Sequence, residues 1–177
     1  MVKNNGQPKE VFAMIAIEDF WDKLKSSDDS VHDEGYRLWR EYASMAPNYI
    51  ESLKEYLPKR FAMKYADMNF HDFHILGVTY VPKQESKAMV RIVMNDYFNE
   101  YGKDMFYELL YTDVIQYSCH VPFVSNQVSW SYDIFESCGK GRFMHRILCS
   151  NRCWFDILAR SIEIKVLPYQ MDFSETQ

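Results

Sequence analysis

The spacing of apolar residues changes after Asn69, and this change constrains the fold more than any other feature of the sequence. Within residues 9–66, apolar side chains recur every three to four positions, which lines one face of a helix. Within residues 70–167 they alternate with polar ones, which is typical of strands. The chain is therefore predicted to be an α+β protein in which helices precede a sheet.

About three helices are predicted in the first part of the chain. The first spans Lys9–Lys25, and a second carries Tyr36, Trp39 and Tyr42 on one face. Gly35 weakens the second prediction, because glycine is a poor helix former. A third helix begins near Pro47, and Pro58 either ends it or opens a short successor.

About six strands are predicted in the second part. The alternating runs cover residues 72–81, 88–95, 105–111 with a possible extension to 117, 127–136, 141–149 and 153–166. Short breaks containing turn residues separate them, so neighbouring strands should pair as hairpins in an antiparallel meander. The apolar pattern changes parity near Ala159 to Ile162, which indicates a bulge or a break there.

One domain covering residues 1–177 is expected from the length of the chain, with loose ends at 1–8 and 168–177. The apolar run from Val11 to Ile17 is too short to span a membrane and is followed by two acidic residues, so we expect a cytosolic protein. In the reducing cytosol the cysteines should be free thiols. They are Cys119, Cys138, Cys149 and Cys153.

Charge and motifs exclude several classes of function. The formal net charge is −5, and no cluster of Lys and Arg is longer than a pair, so binding to nucleic acid is not expected. No glycine-rich turn leads from a strand into a helix, which removes the usual nucleotide-binding motifs. Neither a metal nor another cofactor is expected, because the Cys and His residues lack the paired spacings of a zinc site.

The segment His71-Asp72-Phe73-His74 is the densest polar cluster of the sheet region. A His-Asp pair forms the metal-binding core of one phosphohydrolase superfamily, but there the pair lies on a helix. On a strand, Asp72 and His74 would share one face while His71 lies on the other, which disfavours a common metal ion. The alternative is a structural role at the junction between helices and sheet.

The segment from Ser129 to Phe135 is the second candidate site. Alternation places Trp130, Tyr132 and Ile134 on one face of a strand, and Ser129, Ser131, Asp133 and Phe135 on the other. The aromatic face is either part of the core or, if it is exposed, a surface for recognising a partner.

Three segments together resemble uncharacterised bacterial families of unknown function. They are Tyr49-Ile50-Glu51-Ser52-Leu53-Lys54-Glu55-Tyr56-Leu57-Pro58, Phe70-His71-Asp72 and Trp130-Ser131-Tyr132-Asp133-Ile134. Some similar small domains look like immunity proteins of bacterial toxin systems, which are acidic, cytosolic and act by binding a toxin. The pattern usually has Glu where this chain has Asp133. The resemblance covers roughly residues 49 to 166 and does not indicate any particular activity.

The sequence therefore favours a non-enzymatic bacterial protein that binds another protein, with His71, Asp72, His74, Trp130, Tyr132 and Asp133 as candidate binding residues. The alternative is a small metal-dependent hydrolase centred on His71, Asp72 and His74. A homodimer is a third hypothesis, because a meander leaves two sheet edges that must be covered or paired.

Overall fold

The computed structural model describes two compact units, Met1–Pro47 and Asn48–Gln177. The described residues are 17–45, 49–66, 68, 70–82, 87–96, 105–121 and 128–167. Both ends that were expected to be loose, and the first part of the helix predicted from Lys9, lie outside the described residues. The prediction of a single domain stays a prediction.

The first unit contains a pair of helices, α1 (Ile17–Leu24) and α2 (Asp29–Met45). The carboxylate of Asp28 accepts hydrogen bonds from the backbone N–H groups of Ser30 and Val31 at 2.9 and 3.3 Å, which caps the start of α2. Gly35 sits where the two helices cross. A Cβ atom there would lie 2.7 Å from the backbone nitrogen of Leu24, so glycine permits the close approach.

The second unit begins with two short helices, α3 (Tyr49–Tyr56) and α4 (Lys59–Ala66). Pro58 lies between them, and its carbonyl accepts the N–H of Ala62 at 3.0 Å, which closes the first turn of α4. The described residues thus contain four helices rather than about three, because the segment after Pro58 forms a separate helix.

Eight antiparallel strands follow, which confirms the α+β class and the antiparallel sheet. A short 3-10 helix, Ser150–Arg152, joins the sixth strand to the seventh. The strands are β1 (His74–Val81), β2 (Met89–Asp96), β3 (Met105–Thr112), β4 (Gln116–His120), β5 (Val128–Ser137), β6 (Phe143–Cys149), β7 (Trp154–Ala159) and β8 (Ser161–Leu167).

The strand order is β4-β7-β6-β5-β1-β2-β3-β8, so the sheet is not a simple meander. Strands β1 to β3 and β5 to β7 each form a meander of three, while β4 and β8 lie at opposite edges. The prediction of about six strands is wrong because two predicted runs bend and continue as a second strand. The third run bends at residues 113–115, where Asp113 has a φ of 54°, and the last bends at Arg160, inside the predicted parity change.

The main core of the second unit lies between the inward faces of α3, α4 and the strands. It contains large aliphatic and aromatic side chains that are less than a tenth exposed, such as Leu53, Phe61, Ile92, Leu109, Trp130, Phe143 and Phe155. Burial of this apolar surface is the main force holding the unit together. None of the helices in the described part of the chain is long and apolar enough to cross a membrane.

Candidate functional site

A network of polar side chains crosses the core and centres on the Asp133 carboxylate, which is 13% exposed. Its Oδ1 accepts the indole N–H of Trp130 at 3.1 Å. Its Oδ2 accepts the hydroxyl of Tyr65, on α4, and lies 2.9 Å from Nε2 of His145. On the other side of the imidazole, Nδ1 of His145 lies 2.6 Å from the hydroxyl of Tyr111. We refer to these five residues as the interior network.

Burial sets the protonation states of His145 and Tyr111. The side chain of His145 is 0% exposed, and this burial lowers the pKa of His145 even though the Asp133 carboxylate favours the charged form. Burial also holds the pKa of Tyr111 well above its ordinary value, helped by the nearby charge of Asp133. A neutral His145 donates from Nε2 to Asp133 and accepts from the Tyr111 hydroxyl at Nδ1, so every contact has one donor and one acceptor.

The order Tyr111, His145, Asp133 resembles the hydrogen-bonded chains that activate nucleophiles in enzymes. Here, however, Tyr111 and His145 are each 0% exposed, and the ring of Phe135 stacks on the imidazole with centroids 3.7 Å apart. A substrate cannot reach atoms that are enclosed in this way. The interior network therefore ties α4 to β3, β5 and β6, and its role is to hold the fold together.

Trp130 and Tyr132 do not share a face of their strand, although alternation predicts that they do. The pairing of β5 with β6 shifts register between these two residues, which is the signature of a bulge. Trp130 is 1% exposed and lies in the core, where its indole reaches Asp133, whereas Tyr132 is half-buried and packs its ring against His71. The structure thus brings together Trp130 and Asp133, which were expected on opposite faces.

His71 and Asp72 form an exposed turn before β1. Nδ1 of His71 lies 2.9 Å from Oδ2 of Asp72, and the two side chains are 47% and 65% exposed. The N–H of Asp72 donates to the carbonyl of Trp130 at 2.8 Å, and the N–H of Trp130 donates to the carbonyl of Phe73 at 2.8 Å. These bonds fasten the turn to β5. His74 is the first residue of β1, where it pairs with β2 and β5.

Metal-ligating side chains do not converge within the described residues, where no group of three or more His, Cys, Asp or Glu side chains could hold an ion. His71, Asp72 and His74 therefore do not converge on a common point at which the three side chains could hold a metal ion together.

The cysteines divide into two exposed and two buried thiols. Cys119 and Cys138 are exposed, whereas Cys149 and Cys153 are buried on either side of the turn between β6 and β7. A hydrogen bond from the Cys149 thiol to Cys153 raises the pKa of Cys149 and lowers that of Cys153. The two thiols lie at the buried end of the hairpin formed by β6 and β7.

Comparisons with known proteins give no relative of this chain. Neither the protein-family models nor the curated proteins nor the solved structures contain a match to this chain.

A groove between α4 and β8 is a second candidate site, and charged groups line its rim. It encloses about 460 Å³ and is lined on one side by α4 and on the other by Ser161–Ile164. We call it the α4–β8 groove. Its rim carries Lys59, Arg60 and Lys64 from the helix and Glu163 from the strand, all exposed, so three positive charges face one negative charge.

Apolar side chains line the inner part of the α4–β8 groove. Phe61, Ile162 and Ile164 are 2%, 1% and 5% exposed and belong to the core, so they support both walls. Sequence reasoning missed this site. The signal available was the group of cations after Pro58, but nothing in the sequence shows that α4 packs beside a strand about a hundred residues later.

Proposed function

We propose that this chain is a non-enzymatic interaction protein that binds an acidic segment of a partner protein in the α4–β8 groove. One observation carries the proposal. Lys59 and Arg60 are exposed at the rim of the groove, and neither forms an ion pair with another side chain among the described residues. Cations grouped at a concave, partly apolar surface suit a ligand that brings its own carboxylates.

The net charge of the whole chain restricts where and in which orientation an acidic segment can bind. The formal net charge of −5 disfavours the approach of an acidic segment over most of the surface, whereas the groove has a local excess of positive charge. Electrostatic complementarity of this kind fixes the register of a partner and raises the association rate more than it raises the affinity. We therefore expect binding that weakens with added salt.

The proposal keeps the expectation of a bacterial, cytosolic binding protein and makes its partner more specific. Immunity proteins, which some similar small domains resemble, act by binding a toxin, and the net acidity of this chain suits a partner that is basic overall. The α4–β8 groove adds that the contacting segment of the partner is acidic. The exposed turn of His71 and Asp72 has no part in this function.

The experiment is a fluorescence titration with a labelled peptide in which Glu alternates with Thr, compared with the same peptide carrying Gln in place of Glu. We expect the Glu peptide to bind and the Gln peptide to bind at least about tenfold more weakly, a difference of about 1.4 kcal/mol. Lys59→Glu should reduce binding of the Glu peptide by a similar factor.

Lys140→Glu is the matched control, because Lys140 is exposed on the turn between β5 and β6, away from the groove residues in the sequence. The same change of net charge there should leave binding within about twofold, because Lys140 does not line the groove and an exposed charge without a direct contact contributes little. Equal losses for Lys59→Glu and Lys140→Glu would mean that only net charge matters, and the groove would be rejected as the site.

A further inference from the structure

We infer that the acidic segment binds in extended form as an added strand on the free edge of β8. This inference rests on the proposed function and specifies how the same groove is filled. Strand β8 lies at the end of the strand order and pairs only with β3 among the described strands. Strand addition to such an edge is a recurrent mode of peptide recognition, because the edge offers unpaired backbone groups.

The direction of one carbonyl shows which backbone groups of β8 face the groove. The ammonium of Lys64 donates to the carbonyl oxygen of Ile164 at 3.3 Å, so this carbonyl points towards α4 and away from β3. The N–H and C=O of one residue in a strand point to the same side, and the sides alternate along the strand. The N–H of Ile164 and the backbone groups of Ile162 therefore also face the groove.

Lys64 protects this edge with a bond that can be exchanged. A lysine over an edge strand blocks unwanted pairing at little cost, because its flexible side chain can leave. When an extended segment arrives, one of its N–H groups can donate to Ile164 in place of Lys64. The released ammonium then needs an acceptor, which a carboxylate of the incoming segment supplies. The carboxylates of that segment also pair with Lys59 and Arg60.

The alternation of side chains along a strand predicts how the carboxylates are spaced in the partner segment. Every second side chain of an added strand points to the same face, so carboxylates at alternate positions would all reach the cations of α4. The opposite edge strand of the sheet, β4, has the sequence Gln116-Tyr117-Ser118-Cys119-His120 and contains no Lys or Arg. This makes β4 an internal control, since it is also an edge but lacks the charge that selects an acidic segment.

The test is amide hydrogen exchange measured by NMR on the isotope-labelled full chain, with and without saturating amounts of the peptide that alternates Glu with Thr. We expect exchange of the Ile162 and Ile164 amides to slow by at least about tenfold when the peptide is bound. The amide of Ser118 in β4 should be unchanged. A peptide with methylated backbone nitrogens on the pairing side should lose both binding and protection.

Three outcomes would overturn the inference, and they can be told apart. If the peptide binds and Lys59→Glu weakens it, but the Ile162 and Ile164 amides exchange as before, the groove binds side chains only and the proposed function survives. If no acidic peptide binds, both proposals fail. If the two amides are already protected without peptide and light scattering shows a dimer, the occupant of the edge is a second copy of this chain.

Discussion

The interior network and the α4–β8 groove both combine polar or charged side chains of α4 and the sheet, yet the two regions treat charge in opposite ways. In the interior, both oxygens of Asp133 and both nitrogens of His145 have hydrogen-bond partners. In the groove, Lys59 and Arg60 form no ion pair among the described residues. A buried charge must be satisfied within the fold, whereas an exposed one can be left for a ligand.

The difference separates stability from function. Removing a member of the interior network leaves a polar atom enclosed without a partner, which is costly, whereas removing a groove cation exposes nothing to an apolar environment. We expect substitutions in the interior network to lower the free energy of unfolding most and substitutions in the groove to lower it least.

The largest effect is expected for Asp133→Ala, which leaves the hydroxyl of Tyr65, the indole N–H of Trp130 and Nε2 of His145 without their acceptor. We expect a loss of at least about 3 kcal/mol of unfolding free energy, because each of the three enclosed groups left without its acceptor costs about 1–3 kcal/mol. Urea unfolding followed by tryptophan fluorescence measures it. The control is Asp72→Asn, at a carboxylate that is 65% exposed, where the loss should stay below about 1 kcal/mol.

Tyr111→Phe should have the next largest effect. The change keeps the ring in the core but removes the hydroxyl that donates to Nδ1 of His145, so a buried acceptor loses its partner. A loss of about 1–3 kcal/mol is expected in the same unfolding assay. Tyr80→Phe, at a side chain that is 45% exposed, should change the unfolding free energy by less than about 0.5 kcal/mol. Comparable losses for the two variants would contradict the importance of the buried hydroxyl.

The stability of the protein should depend on pH through His145. Because burial lowers the pKa of His145 below its ordinary value of 6.5, the unfolded chain takes up a proton that the folded chain resists. This contribution is therefore complete above about pH 6.5 and is lost as the pH falls below it, by up to about 1.4 kcal/mol per pH unit.

Unfolding free energies measured at several pH values below 6.5 test the direction, and His145→Gln tests the assignment. The variant should be less stable than the parent at neutral pH but should lose less stability as the pH falls. If the two proteins show parallel curves, the titration belongs to other groups.

The smallest effect on stability is expected for Lys59→Glu. Lys59 is the first residue of α4, and a negative charge in the first turn of a helix is favourable by about 0.3–1 kcal/mol. We expect the unfolding free energy to stay the same or to rise slightly in the urea assay. A loss of more than about 1 kcal/mol would show that the groove cations support the fold, and the separation of the two regions would be wrong.

The fold class could be predicted from the sequence because it depends on local periodicity. The change of period after Asn69 located the sheet region, and the runs predicted as strands all contain strands. The number of strands could not be predicted, because a strand that bends at Asp113 or Arg160 keeps its apolar character through the bend. Which strand pairs with which depends on contacts between distant segments, which periodicity does not encode.

The candidate site was harder to predict for the same reason. Asp133 was singled out, but the bulge after Trp130 reverses the faces that alternation assigns. Tyr111 and His145 are far apart in the sequence, and neither sits in a motif. The α4–β8 groove depends on a helix packing beside a strand about a hundred residues away, so its two halves carry no shared signal.

The measurement that tests the account most directly is binding and stability determined together for Lys59→Glu and Tyr111→Phe, using the peptide that alternates Glu with Thr. We predict that Lys59→Glu loses binding by about tenfold or more and keeps its unfolding free energy. Tyr111→Phe should lose stability and keep its affinity under conditions where it is folded. The opposite pattern, with affinity lost in Tyr111→Phe and retained in Lys59→Glu, would contradict the account and place the binding site in the interior network.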